Sequence, residues 1–203
     1  MEMIELKDLK EGKNYFSKPV TTIHSFYLYG IEEAEKYVEW FEIMRNAGPH
    51  DAIRIHINSY GGDLFTAIQF LRVMTESQAT FIASVEGACM SAATIIFLCS
   101  DMFEISEHSM FMFHNYSGGT FGKGGEMLDQ LKHERVWSEK LMRSIYNEFL
   151  TPKEIESMLD NKDIWMDGDE VMNRLNKRNK KVNKSTKAHK PKAPQLPEEM
   201  INT

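Results

Sequence analysis

The chain has 203 residues and a net charge of −6, and 42% of its residues are hydrophobic and 27% charged, which suits a soluble globular domain with or without a tail. It contains no run of about 18 apolar residues and no basic start followed by an apolar stretch, so neither a membrane span nor a secretory leader is predicted and a cytoplasmic protein is expected. Two cysteines, Cys89 and Cys99, are too few for a disulfide framework and are not spaced as metal ligands.

The charge is unevenly distributed. From Arg174 to Thr203 the chain has nine Lys or Arg and two Glu, so this end carries +7 and the preceding residues carry −13. Because it has few apolar residues, we predict that 176–203 is a disordered Lys-rich tail. Such a tail either keeps the chain soluble or binds an acidic partner, and nucleic acid is not expected because no aromatic residue lies between the charges.

Strand and helix patterns alternate between residues 21 and 175. In chain order, the first part predicts a strand over 23–29, a helix over 32–45, a strand over 52–57, a helix from Asp63 to about Met74, a strand over 80–85 and a helix over 91–98. The second part predicts a strand over 110–113, a glycine-rich loop over 118–125, a long helix over 126–149, a helix that Thr151 caps and Pro152 begins, an extended segment over 163–166 and a helix over 169–175. Repeated strand–helix–strand order predicts a single α/β layered domain with parallel strands and crossover helices.

Two of the predicted strand-to-helix junctions, 57–64 and 85–93, are rich in small residues. The second junction contains Ser91, which follows a strand at the start of a helix, where the helix dipole and free N–H groups favour a neighbouring oxyanion. The first contains Gly61 and Gly62, which let backbone N–H groups approach a ligand closely. Together they predict a serine nucleophile with backbone oxyanion donors. The alternatives are that Ser91 is a helix N-cap and that the glycines form a simple turn.

A serine nucleophile needs a general base, and His114 is the candidate because it ends the apolar strand 110–113 and precedes the glycine-rich loop. Asp163, directly before the apolar strand 164–166, is the candidate that orients the imidazole. A structural histidine and a solvated loop acid are the alternatives, and spacing alone does not select Asp163. The other histidines show no paired spacing for zinc.

Four sequence blocks resemble the ClpP family, the proteolytic subunit of the ATP-dependent Clp protease. Ile57-Asn58-Ser59-Tyr60-Gly61-Gly62 resembles its Ile-Asn-Ser-Pro-Gly-Gly, and Gly87-Ala88-Cys89-Met90-Ser91 resembles its Gly-x-Ala-Ala-Ser. Met112-Phe113-His114-Asn115 with Gly118-Gly119 resembles Met-Ile-His-Gln with Gly-Gly, and Lys162-Asp163-Ile164-Trp165-Met166 resembles Arg-Asp-x-Phe-Met. The blocks come in the family's order, and the resemblance covers about residues 25–175.

The resemblance implies a ClpP/crotonase-type fold over 21–175, after a diverged N-terminal segment, 1–20. It implies hydrolysis of polypeptides through an acyl-enzyme, without metal or cofactor. The implied site residues are the catalytic triad Ser91, His114 and Asp163, the oxyanion-hole N–H groups of Gly62 and Ala92, and the substrate-binding Gly61, Gly118 and Gly119. The implied assembly is a homo-oligomeric ring, a heptamer or a double-ring tetradecamer, with an AAA+ ATPase unfoldase as partner.

The long helix resembles the part that joins two rings in the family, and its apolar stripe is expected to serve either assembly or the core. That stripe comprises Met127, Leu128, Leu131, Val136 and Trp137.

Departures from the family pattern leave other functions open. Tyr60 replaces a proline, Cys89 and Met90 replace two alanines, and Met1–Val20 does not resemble the family's N-terminal segment. The diverged ends and the Lys-rich tail are more similar to phage-encoded ClpP-like enzymes, some of which mature capsid proteins. The alternatives are therefore a head maturation protease of the same fold, a catalytically idle ring scaffold, and a crotonase-type acyl-CoA enzyme, which would need no Ser-His-Asp set.

Overall fold

The computed structural model describes the backbone of residues 22–186 and the side chains of residues 22–178. These residues divide between Glu104 and Ile105 into two compact units. The predicted N-terminal segment 1–20 and the end of the predicted tail, 187–203, lie outside the described residues, and the predicted domain boundaries stay predictions.

Three parallel strands form the sheet of the first unit: β1 (Ile23–Leu28), β2 (Ala52–Ser59) and β3 (Thr80–Met90). A short strand, β4 (Met102–Ile105), pairs with β3. Alternate residues of β2 are fully buried, namely Ile53, Ile55 and Ile57. One face of the sheet therefore packs into the core, as the alternating sequence predicts.

The helices of this unit are α1 (Val38–Asn46), which follows a 3-10 helix over Ala34–Tyr37, α2 (Leu64–Glu76) and α3 (Ala93–Leu98). α1 and α2 are the crossover helices between the parallel strands β1, β2 and β3. The predicted cap of α2 is confirmed, since Asp63 Oδ1 accepts a hydrogen bond from the N–H of Thr66 at 2.7 Å. Phe41 of α1 and Phe70 of α2 pack edge to face with their ring centroids 4.8 Å apart. This α/β arrangement with parallel strands and crossover helices confirms the predicted fold class.

The second unit contains β5 (Met110–Phe113), α4 (Gly124–Tyr146), α5 (Pro152–Leu159), β6 (Ile164–Asp167) and α6 (Gly168–Thr186). β5 and β6 pair antiparallel, so the expectation of parallel strands does not extend to this pair. The predicted start of α5 is confirmed, because the Thr151 and Glu154 side chains cap each other's backbone N–H and Pro152 begins the helix. Arg174 of α6 holds α5 by donating to both carboxylate oxygens of Glu154, each at 2.8 Å.

Most element boundaries differ from the sequence prediction by a few residues, and three differences are of another kind. β3 continues past Val85 to Met90, because a bulge lets the strand resume after an interruption in its pairing with β2. β4 was not predicted at all. α6 continues past Leu175 to Thr186, so residues 176–186 of the predicted tail are helical, which agrees with the helix propensity of Lys and Arg and their favourable position near a helix C-terminus.

Among residues 22–186, no helix is both long and apolar enough to cross a membrane.

Candidate active site

Ser91 lies in a tight turn between the end of β3 and the start of α3. Its φ is +54°, a left-handed conformation that costs an L residue about 1–2 kcal/mol. The turn is held by Thr94, whose N–H and Oγ1 donate to the carbonyl of Ser91 at 2.9 and 2.6 Å. Ala92, not Ser91, is the N-cap residue of α3, and its side chain makes no capping hydrogen bond. The alternative interpretation of Ser91 as a structural N-cap is therefore not supported.

The glycine pair after β2 contacts this turn directly. A Cβ added at Gly61 would lie 2.7 Å from Ser91 Cβ, 2.8 Å from the Met90 carbonyl oxygen and 3.1 Å from the Ala92 nitrogen. Gly61 and Gly62 have φ angles of +98° and +145°, which side-chain-bearing residues rarely adopt. The structure thus brings together the two small-residue junctions that the sequence singled out, and only glycine fits at their contact.

Two backbone N–H groups are left available at this contact. Ile31 and Gly62 form an isolated parallel β-bridge. In this bridge, Ile31 donates its N–H to the Gly61 carbonyl at 3.0 Å and accepts from the N–H of Asp63 at 2.7 Å, so the groups used lie on either side of Gly62. Within residues 22–186, neither Gly62 nor Ala92 donates its N–H to another described residue. Unpaired N–H groups beside a serine are what an oxyanion site requires.

His114 and Asp163 belong to the second unit, at one end of the β5–β6 pair. Phe113 lies opposite Ile164 in that antiparallel ladder, so the next facing positions are His114 and Asp163. Facing residues of an antiparallel pair point to the same side, with Cβ atoms about 4.5–5.5 Å apart where the ladder continues. His114 is half-buried and Asp163 is exposed. The Asp163 carboxylate makes no hydrogen bond or ion pair with any of the described residues.

Two asparagines that the sequence analysis missed support this strand end. Asn161 adopts a left-handed φ of +62° after α5 and turns the chain towards Asp163. Asn115 Nδ2 donates to Asn161 Oδ1 and to the Leu159 carbonyl, both at 3.4 Å, so the residue after His114 is tied to the turn before Asp163. An asparagine just beyond a helix end is a usual left-handed cap, and that signal identifies Asn161.

The glycine-rich segment after His114 runs beside α4. Thr120 Oγ1 donates to Gln130 Oε1 at 2.6 Å, and Gln130 in turn donates to Glu134. Partial burial and the neighbouring Glu134 raise the pKa of Tyr116. Among the described residues, the backbone of 117–122 forms no backbone hydrogen bond, and Gly118 and Gly119 are exposed. The substrate-binding role expected for these two glycines stays a prediction.

Competing chemistries find little support near Ser91. Cys89 lies two residues before Ser91, and complete burial raises the pKa of its thiol far above neutrality. A buried, protonated thiol is a poor nucleophile. Residues 22–186 contain no cluster of three or more His, Cys, Asp or Glu side chains that is able to hold a metal ion.

The chain is similar to known proteins in sequence and in fold. The sequence model of the Clp protease family matches residues 30–174, which include Ser91, His114 and Asp163. Among solved structures, a mutant of ClpP1 from Listeria monocytogenes is similar with a TM-score of 0.62 and 20% identity, over 74% of this chain and 86% of that chain. At this identity the structural likeness shows a common fold. No curated protein matches the sequence.

Proposed function

The chain belongs to the Clp protease family, and from this premise we propose that it is a serine endopeptidase that uses Ser91, His114 and Asp163. The observation that carries the proposal is the Ser91 corner. A serine in a left-handed strand-to-helix turn contacts a glycine pair, and two N–H groups beside it have no acceptor among the described residues. A strained turn of this kind exposes a nucleophilic hydroxyl next to its oxyanion donors.

The proposed reaction is acyl transfer to Ser91. His114 takes the hydroxyl proton while Ser91 Oγ attacks the carbonyl carbon of the scissile peptide bond. The negative charge that develops on the carbonyl oxygen is stabilised by the N–H groups of Gly62 and Ala92, and one such donor contributes about 10²–10³ in kcat. His114 then protonates the leaving amine, and water, deprotonated by His114, hydrolyses the ester.

Asp163 is proposed to hold the imidazole of His114 in the tautomer that accepts the Ser91 proton. The β5–β6 register supports this assignment, because it makes Asp163 the residue opposite His114. The carboxylate is exposed and has no partner among the described residues, so its bond to His114 has to form when the site is occupied or assembled. Catalytic hydrogen bonds commonly tighten only when substrate binds.

The polypeptide substrate is proposed to bind in an extended conformation. The segment 117–122 has backbone groups that form no backbone hydrogen bond within the described part of the chain, and Gly118 and Gly119 present no side chain to hinder an added strand. Backbone pairing of this kind binds peptides with little regard to sequence. Gly61 would lie along the same peptide near the scissile bond.

Assembly into rings is proposed from the surface of α4. The buried residues of this helix lie in its C-terminal half, whereas Leu128, Leu131 and Val136 are 54%, 47% and 57% exposed. Of the predicted apolar stripe, Met127 and Trp137 are half-buried. A row of exposed apolar residues on one helix is typical of an interface. We therefore expect rings of identical subunits, and Leu131→Glu should shift sedimentation towards the monomer.

Partnership with an AAA+ ATPase unfoldase and a cytoplasmic location are part of the same proposal.

The test is hydrolysis of a fluorogenic peptide by assembled wild type and by three variants. Ser91→Ala and His114→Ala should abolish turnover. Asp163→Asn should lower kcat by about 10⁴-fold, as expected when the imidazole is held in the wrong tautomer. A folded and assembled wild type that hydrolyses no peptide, with or without an ATPase partner, would instead indicate an idle scaffold.

A further inference from the structure

We propose that Asn58 is a positioning residue that fixes the location of Ser91 through a bulge in β3. The inference rests on the proposed role of Ser91 as nucleophile, and it assigns a function to a side chain outside the catalytic set. Asn58 is the second-last residue of β2.

The pairing of β2 with β3 is interrupted at Asn58. Ile57 lies opposite Val85, and the next pair is Ser59 with Cys89. Residues 86–88 of β3 therefore face Asn58 alone. Extra residues in one strand leave backbone groups without a ladder partner and redirect the strand that follows.

The side chain of Asn58 compensates for this interruption. Its Oδ1 accepts a hydrogen bond from the N–H of Ala88 at 3.0 Å, and Ala88 is only 8% exposed. Asn58 itself is exposed, but without its carboxamide the N–H of the buried Ala88 would lose its acceptor within the protein, and a buried donor without an acceptor is unfavourable. We infer that the bulge would then shift to find another partner.

A shift at Ala88 has a short and stiff path to Ser91. The two residues between them, Cys89 and Met90, are 0% and 3% exposed, so they are packed against the core. The Met90 carbonyl and Ser91 Cβ also contact Gly61 closely. A displaced bulge would therefore move Ser91 relative to the glycine pair.

The glycine pair is fastened to the same strand end. Ser59, which is fully buried, accepts the N–H of Gly61 through its Oγ at 3.1 Å. Adjacent side chains of β2 thus hold the two parts of the corner: Ser59 holds the glycine turn, and Asn58 holds the strand that leads to Ser91. This common anchor keeps the nucleophile in register with the oxyanion donors.

Gly87 gives an independent way to disturb the same contact. A Cβ at Gly87 would lie 2.7 Å from Asn58 Oδ1, and this atom is the end of a flexible side chain. Gly87→Ala should therefore displace the carboxamide from the Ala88 N–H, while Asn58→Ala removes the carboxamide. Because both changes break one hydrogen bond, their effects should not add.

The test measures kcat and KM for a fluorogenic peptide together with the thermal unfolding midpoint. Asn58→Ala should lower kcat by about fivefold, the order expected for one lost hydrogen bond, and leave KM within about twofold. Asn58→Asp should retain most of kcat, since a carboxylate oxygen also accepts from Ala88. Gly87→Ala should lower kcat in the presence of Asn58 and have no further effect in Asn58→Ala.

Several results would overturn the proposal while leaving the peptidase assignment intact. These are an unchanged kcat in Asn58→Ala, an Asp variant no better than the Ala variant, and losses that add in the double variant. If Asn58→Ala does not fold, Asn58→Asp and Gly87→Ala decide the question. A kcat of Gly87→Ala close to that of the wild type would then count against the proposal. A wild type without activity would contradict the proposed function instead.

Discussion

Gly61→Ala tests whether the Ser91 corner is as tightly packed as the structure shows. The φ of +98° at Gly61 costs an alanine about 1–2 kcal/mol. The new Cβ would also overlap Ser91 Cβ at 2.7 Å and the Met90 carbonyl oxygen at 2.8 Å. Overpacking of this kind costs about 1–3 kcal/mol. Together these effects should lower the free energy of unfolding by about 2–5 kcal/mol.

Urea unfolding followed by tryptophan fluorescence measures this loss at fixed protein concentration. Gly30→Ala is the matched control in the same unit, since a Cβ there meets no atom within 4 Å. The control should change the free energy of unfolding by less than about 0.5 kcal/mol. If Gly61→Ala is as stable as the control, Gly61 does not pack against Ser91 as described.

Three further predictions concern stability and reactivity. Thr151→Ala should lower the free energy of unfolding by about 1 kcal/mol through loss of the α5 cap, whereas Thr151→Ser should not. Hydrogen bonds from Arg174, and then from Thr151, lower the pKa of Glu154 to about 2, below its value in the unfolded chain. The Glu154–Arg174 pair therefore stabilises the protein above about pH 4.3, and this stabilisation is lost as the pH falls towards 2. Glu154→Gln should therefore make the free energy of unfolding fall less between pH 5 and pH 2, as measured by urea unfolding. Because Glu154 is partly exposed, we expect this difference to be about 1 kcal/mol and not more than about 2 kcal/mol. Cys89 should resist iodoacetamide until the chain unfolds, and rapid modification of Cys89 in the native protein would contradict its burial. Peptide mass mapping distinguishes Cys89 from Cys99, which is only partly buried.

Much of the fold could be predicted because each element has a local signal. β1 is rich in β-branched and aromatic residues, β2 alternates apolar and polar residues, and α2 and α5 have recognisable first residues. The antiparallel pairing of β5 with β6 has no such signal, because a short apolar run such as Met110–Phe113 gives no information on strand direction. β4 is short, and Glu104 interrupts its apolar run, whereas β5, of the same length, is apolar at all four positions.

The candidate site was predictable to a similar extent. Ser91 and the glycine pair stand out because small residues cluster at strand ends, and the structure brings these segments together. Asp163 could be chosen only through the family resemblance, since many acids precede apolar runs. Asn58 escaped notice because its hydrogen bond joins residues 30 positions apart and depends on a bulge that no spacing reveals.

Intact-mass spectrometry after treatment with a fluorophosphonate probe tests most directly whether Ser91 is the nucleophile. We predict one adduct on the wild type and none on Ser91→Ala, since only an activated serine beside oxyanion donors reacts rapidly with this probe. No adduct on a folded, assembled wild type, or an adduct that persists in Ser91→Ala, would contradict the assignment of Ser91 as the nucleophile.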